Sequence, residues 1–314
     1  MTDARAETSE GEAPRLRAAA AAVFCVSAAI IAMELLLMRC LAFAHWHNFS
    51  YLVISTALLG FGAAGTALTL VGKRMLRRYR TWVTALTLAF ALSVPGSVRL
   101  AEALPLNARN MLNAPSELWW MALYHLVLFV PFVIGAAVIG LSLMRFQGRS
   151  YLVYAANLGG SGAGGLAAVA LMAVLAPEHA LHVVALAAAV SAFLWQFGAK
   201  DRLARAGAIV LVICILTIGA LAVPLRLEPD QYKDLYHARQ LTRQGDARHV
   251  LTRHGPRARI DVYSSPRWHT TMFASLLAPT APPEQASVLL DGTGVAAVFL
   301  VDSADEADIL DYTP

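Results

Sequence analysis

The sequence predicts a mainly α protein: a polytopic transmembrane bundle of about seven helices, then a small α+β module with a β-hairpin. Three observations carry this. The chain is 58% hydrophobic and only 15% charged, where a soluble domain carries about 25% charged residues. Its mean hydropathy is +0.56. Apolar runs near the roughly 20 residues that cross a bilayer recur between residues 18 and 224, and then stop.

Taken in order, residues 1–17 ("MTDARAETSEGEAPRLR") are acidic and mixed, and the apolar run behind them is too long for a signal peptide. They read as an uncleaved cytoplasmic tail. Seven spans follow, at 18–44, 49–71, 82–98, 118–144, 151–176, 180–197 and 207–224, within a bundle of residues 18–224. Pro95 and Gly96 predict that the third stops short. Pro131 predicts a kink in the fourth, which membrane helices tolerate when neighbours re-satisfy the backbone.

Basic residues set the orientation. Arg15, Arg17, the run "KRMLRRYR" at 73–80, Arg145, Arg149, Lys200, Arg202 and Arg205 fall in alternate loops. The intervening loops are poorer, with only Arg99 and Arg109 in the third. The positive-inside rule then puts the N-terminus in the cytoplasm. Seven crossings put everything after residue 224 outside. Because topology accounts for the basic residues, the net charge of +4 does not point to nucleic acid, and the partner is the lipid bilayer. Cys25, Cys40 and Cys214 lie in apolar stretches without paired spacing and read as small buried apolar residues.

The fifth span contains a decoy. Gly160, Gly162 and Gly165 spell G-x-G-x-x-G, which binds a pyrophosphate only after a strand and before a helix. Here no charged residue occurs between 151 and 176. Gly160 with Gly164, and Ser161 with Gly165, are instead small-xxx-small pairs that let membrane helices approach backbone to backbone. A second decoy, Gly292, Gly294 and Ala297, is followed by too few residues for a βαβ unit of about 30.

Three polar residues inside the spans are the site candidates: Glu34, Arg39 and Asn157. A carboxylate near mid-bilayer costs roughly 2.5–3.5 kcal/mol on insertion scales, so Glu34 is expected to face the bundle interior and to have a partner. Arg39 is about 140° round the helix from it, and Asn157 is the expected partner. Glu34 has two readings, a substrate or proton site, or an interhelical hydrogen bond that fixes packing, and the second is preferred. His45 and His47 flank Trp46 without the carboxylate or Cys that would complete a metal set. His179 and His182 beside Glu178 read alike, so no metal is expected. Trp119, Trp120 and Tyr124 read as an interfacial aromatic belt.

Residues 225–314 change character. "RLEPDQYKDLYHARQLTRQ" is polar and helix-compatible, and "ARIDVYSS" alternates as a half-buried strand does. "ASVLLDGTGVAAVFLV" reads as two strands around Asp291-Gly292, a strong turn signal. Asp261 and Asp291 read as strand-end and turn groups rather than catalytic acids.

These residues resemble a family: bacterial membrane proteins with a spermidine-synthase-like (aminopropyltransferase) domain after an N-terminal helical bundle. "SAAIIAMELLLMRCLA" looks like its helix with an interior Glu followed by Arg, here Glu34 and Arg39. "YLVYAANLGGSGAGGL" looks like its Tyr-x-x-Asn-x-x-Gly helix, here Tyr154, Asn157 and Gly160. "ARIDVYSSP" and "VLLDGTGVAAVF" resemble the small β-domain before the catalytic domain, with Asp291-Gly292 matching L-x-D-G. The chain departs from the pattern at 255–259, "GPRAR", where soluble relatives carry a Ser-x-Tyr-Gln run. The resemblance implies a bacterial inner-membrane protein and a Rossmann-like domain beginning just after Pro314. That domain would bind an S-adenosylmethionine-type donor and carry the catalytic Asp. On this reading the chain is anchor and lid, itself without a cofactor or catalytic residue, and its partner is a C-terminal catalytic domain or partner chain. The competing class is a small-molecule transporter or membrane-binding protein with a Glu34/Asn157 site, its glycine-rich spans packed round the midplane.

Overall fold

The computed structural model describes residues 3–45, 48–106, 114–196, 207, 209, 211–212, 225, 227–269, 282–303, 306, 308–309 and 311. The chain divides into two compact units, Met1–Leu41 with His47–Arg226, and Ala42–Trp46 with Leu227–Pro314.

The first unit is helical. Its elements are α1 (Asp3–Ala44), α2 (Asn48–Arg77), α3 (Tyr79–Glu102), α4 (Ser116–Arg145), α5 (Ser150–Val174) and α6 (Pro177–Leu194). All six contain a stretch long and apolar enough to cross a membrane, which makes the chain an integral membrane protein. The expected seventh span, 207–224, lies outside the described residues except at 207, 209 and 211–212. One expectation needs correction. The third span, expected at 82–98, is not cut short: α3 runs through Pro95 and Gly96 to Glu102. Buried between its neighbours, the helix keeps its course although Pro95 contributes no N–H. α1 begins at Asp3, within the residues read as the tail.

α1 is the axis of this unit. Ala22, Val23, Val26, Met33, Leu36 and Leu37 are fully buried. α4 meets α1 where Gly135 faces Ile30. The Ser191 hydroxyl of α6 donates to the Ala22 carbonyl at 3.0 Å. α5 makes the closest approach: a Cβ at Gly160 would sit 2.9 Å from the Phe24 Cα, and one at Gly164 2.7 Å from the Ala28 Cα. Both pairs step by four residues in the same direction, so α1 and α5 run parallel with backbones in contact. Hydrocarbon chains provide no hydrophobic drive between helices, so this small-residue seam and its dispersion contacts supply the adhesion. Ser161 is only half-buried, and nothing lies within 4 Å of a Cβ at Gly162 or Gly165. The second expected pair therefore takes no part, because it lies about 100° round the helix from the first. Outward-facing Leu58, Leu70, Leu166 and Val174 are 69%, 79%, 77% and 76% exposed, as apolar residues are where lipid is the solvent.

At the end where α3 starts, Tyr79 packs edge-on to Phe146 and Trp195, each with a centroid separation of 5.9 Å. The Tyr79 hydroxyl bonds to Ser142 at 3.1 Å, and the Trp195 indole donates to Thr87 at 3.1 Å. Each buried polar atom in this layer thus meets another, as an apolar surround requires.

The second unit is a four-stranded antiparallel meander with one helix. α7 (Asp234–Gln244) precedes β1 (Arg248–His254), β2 (Arg259–Ser265), β3 (Gln285–Leu290) and β4 (Thr293–Phe299), in the order β1-β2-β3-β4. Asp291 and Gly292, at φ 47° and 84°, make the two-residue turn between β3 and β4. Both central residues need positive φ there, which Asp-Gly tolerates. Gly245, at φ 84°, closes α7.

Gly160→Leu and Gly164→Leu should each weaken the bundle by about 1–3 kcal/mol or more, read as a lower unfolding temperature in detergent. Gly162→Ala, with open space around it, should be near neutral.

Candidate functional site

The three intramembrane candidates do not converge. Asn157 is bonded to Ser27, whose hydroxyl donates to the Asn157 Oδ1 at 2.7 Å. Its partner is therefore Ser27 and not Glu34. That bond sits beside the Gly160–Phe24 contact and ties α5 to α1. Glu34 is half-buried, and among the described residues it makes no hydrogen bond or ion pair. Of the two readings of Asn157, the geometry supplies the packing bond.

Arg39 belongs to a different group. Beside it, Cys40 is fully buried and lies in the field of Glu178, Glu102 and Arg39. Tyr124 feels Cys40 and Glu102. Four helices, α1, α3, α4 and α6, thus bring two carboxylates, a guanidinium, a thiol and a phenol to one end of the bundle. Arg99 adds a 3.7 Å ion pair to Glu102. Tyr124 is 5% exposed, which takes it out of the expected aromatic belt, whereas Trp119 is 80% exposed. Glu178 was weighed in the sequence only beside His179 and His182, and Glu102 was not singled out, because a carboxylate at the end of a span is ordinary. Their shared location follows only from helix packing.

The densest polar site is in the second unit. Lys233 is 3% exposed. Its ammonium donates to the carbonyls of Ala42 at 2.7 Å, Phe43 at 2.8 Å and Asp291 at 2.8 Å. The last carbonyls of any helix lack intrahelical partners and carry its negative dipole end. Lys233 satisfies two of them with a charge of the right sign. The Asp230 N–H takes a third, donating to the Ala44 carbonyl at 2.8 Å. Three ammonium protons meet three oxygens, so the buried charge is fully bonded.

Neighbouring groups hold this arrangement. The Asp291 carboxylate accepts the Arg259 N–H at 2.9 Å, and the Asp291 N–H donates to the Arg259 carbonyl at 2.9 Å. The Arg259 guanidinium lies 4.7 Å over the Phe43 ring and grips fully buried Asp261 at 2.8 and 2.9 Å. Thr252 donates to the same carboxylate at 2.6 Å. Burial lowers the His45 pKa, with the Asp230 charge opposing and Lys233 reinforcing that shift. Trp46 and His47 lie outside the described residues. The Asp234 carboxylate caps the hairpin by accepting the Gly294 N–H at 2.6 Å. Beside it, Asp234, His237, Trp268, Gln285 and Ser287 help line a cavity of about 190 Å³.

Both glycine decoys resolve physically. Gly160, Gly162 and Gly165 lie inside the continuous helix α5, so their N–H groups are spent on the helix and cannot cradle a phosphate. Gly292 and Gly294 open a strand, not a helix. Among the described residues no group of three or more His, Cys, Asp or Glu side chains could hold a metal ion. His182 bonds through Nδ1 to the Glu178 carbonyl at 3.0 Å. No protein-family model, curated protein or solved structure matches this chain.

Lys233→Met should cost about 1.5–3 kcal/mol, the usual worth of hydrogen bonds to a charged group, measured by thermal unfolding. Lys233→Arg should not restore it, because a planar fork does not match three converging carbonyls as a rotatable ammonium does.

Proposed function

We propose that this chain is the membrane anchor and lid portion of a spermidine-synthase-like transferase. Donor binding and catalysis would come from a further domain or partner chain. The supporting observation is an architectural sequence: an apolar helical bundle, then a four-stranded antiparallel meander closed by the Asp291-Gly292 turn. The residues that carry the family resemblance have structural work here. Asn157 and Gly160 join α5 to α1, and Asp291 organises the hairpin. The described residues thus supply membrane attachment and a sheet, which is what anchor and lid require.

The reading has a topological condition. Arg15 and Arg17 stand at the start of the first span, and Arg80 of α3 feels Arg15. The last residues of that span, 42–44, fall in the sheet unit. Cytoplasmic arginines, by the positive-inside rule, would put that unit outside, away from a cytoplasmic donor. Paired fluorescent-protein and alkaline-phosphatase fusions after Arg226 decide the matter. A lid for a cytoplasmic donor requires fluorescence without phosphatase activity; phosphatase activity would reject the transferase reading.

One observation favours a second reading, an intramembrane binding or transport site: the lack of a described partner for Glu34. An ionisable residue inside a span is a functional candidate by default. On this reading Glu34→Gln abolishes proton-coupled or amine flux in proteoliposomes. It should also raise bundle stability, since a mid-span carboxylate costs about 2.5–3.5 kcal/mol. Unchanged flux ends this reading.

A further inference from the structure

We propose that the cavity between α7 and β3 binds a small uncharged ring rich in hydroxyls, of the monosaccharide or cyclitol type. All of its lining residues belong to the sheet unit, and the inference rests on neither reading of the function.

It begins with a departure from ordinary packing. A helix laid on a sheet buries an apolar stripe against an apolar face. α7 brings Asp234, His237, Ala238 and Leu241 to the cavity, spaced as one face of a helix. β3 brings Gln285, Ser287 and Leu289, alternate residues on one face of the strand. Polar side chains thus stand where a closed layer would carry apolar ones, and such departures gather at functional sites. Ala238 and Leu289 are buried and close the inner side. Asp234, His237 and Ala297 are exposed and stand at the mouth. Ala297 lies opposite Ser287 in the ladder, and the small side chains at 238, 287 and 297 leave the gap. The space is about 190 Å³. A cavity of about 150 Å³ holds a six-membered ring, so this one admits such a ring with substituents.

The groups in the wall choose the class of ligand. The Asp234 Oδ2 accepts the Gly294 N–H at 2.6 Å, which holds the carboxylate and leaves Oδ1 as an acceptor. Among the described residues the Ser287 hydroxyl, the His237 imidazole and the Trp268 indole N–H make no hydrogen bond. Gln285, 1% exposed, adds an amide. A hydroxyl, a neutral imidazole and an amide each donate and accept, as every hydroxyl of a sugar does. A ligand hydroxyl can give its proton to Asp234 and receive one from Ser287 or Trp268. An anion would meet the Asp234 charge. An ammonium only donates, so the donors of the wall, the indole N–H foremost, would go unanswered when it bound. Trp268 also supplies an aromatic ring, and the negative face of an indole attracts the C–H groups of a sugar.

The test uses the whole chain in phosphatidylcholine nanodiscs, with empty nanodiscs as the blank. Saturation-transfer NMR reads the binding of methyl β-D-glucopyranoside and of myo-inositol. At least one should bind saturably, with a dissociation constant of about 1 mM, ordinary for so small a ligand. Asp234→Asn keeps an acceptor for Gly294 but turns the other oxygen into a donor, and should weaken binding about tenfold. Ala297→Leu, at an exposed position, should fill the mouth and abolish binding. The proposal is overturned if neither ring binds at roughly a hundredfold that concentration, or if butylammonium chloride binds more tightly than both rings. Binding unchanged in either variant overturns it as well, because the ring would then sit elsewhere. The comparison of probes needs no variant, so a substituted protein that fails to fold still leaves the proposal open to refutation.

Discussion

A helix that crosses a bilayer must end, and its last carbonyls must find donors. That constraint governs the second unit. In α1 the donors come from far along the sequence: Lys233 and the Asp230 N–H reach the carbonyls of residues 42–44. The same ammonium holds the carbonyl of Asp291 in the β3–β4 turn. One buried charge therefore joins a helix terminus, the start of α7 and a hairpin. It tolerates burial because every proton is used, and because the helix dipole presents negative charge to it.

Within the bundle the constraint is different. Water is absent there, so apolar area alone cannot select which helices touch. Small residues do so by letting backbones meet. α5 carries them on two faces, and only the Gly160 and Gly164 face lies on α1. The Ser27–Asn157 bond adds direction to that contact. Other hydroxyls in the first unit bond both within and between helices, as when Thr87 donates to the Val83 carbonyl of its own helix while accepting from Trp195. Glu34 is the contrast, a carboxylate in a span with no such partner among the described residues.

Much of this was legible along the chain, for physical reasons. A span needs only length and apolarity, both local properties, so six helices follow the runs of hydropathy. The Asp291-Gly292 turn is local too, because positive φ at two adjacent residues restricts their identity. β2 announces itself through alternation, and β3 through the turn that follows it. β1, "RHVLTRH", does not: an edge strand largely exposed along its length carries no apolar period. Pro95 misleads, since a breaker in water is tolerated in a helix held on several sides.

The sequence by itself determined that the chain lives in lipid, where the hairpin turns, and that the glycines of 160–165 sit in a span rather than a phosphate loop. Tertiary structure alone decided the pairings. Asn157 meets Ser27 across 130 positions, and Lys233 meets Ala42 across 191. Composition and periodicity report the environment of each residue, because solvent acts on residues one at a time. Partners are set by which surfaces pack, and that depends on the whole chain at once.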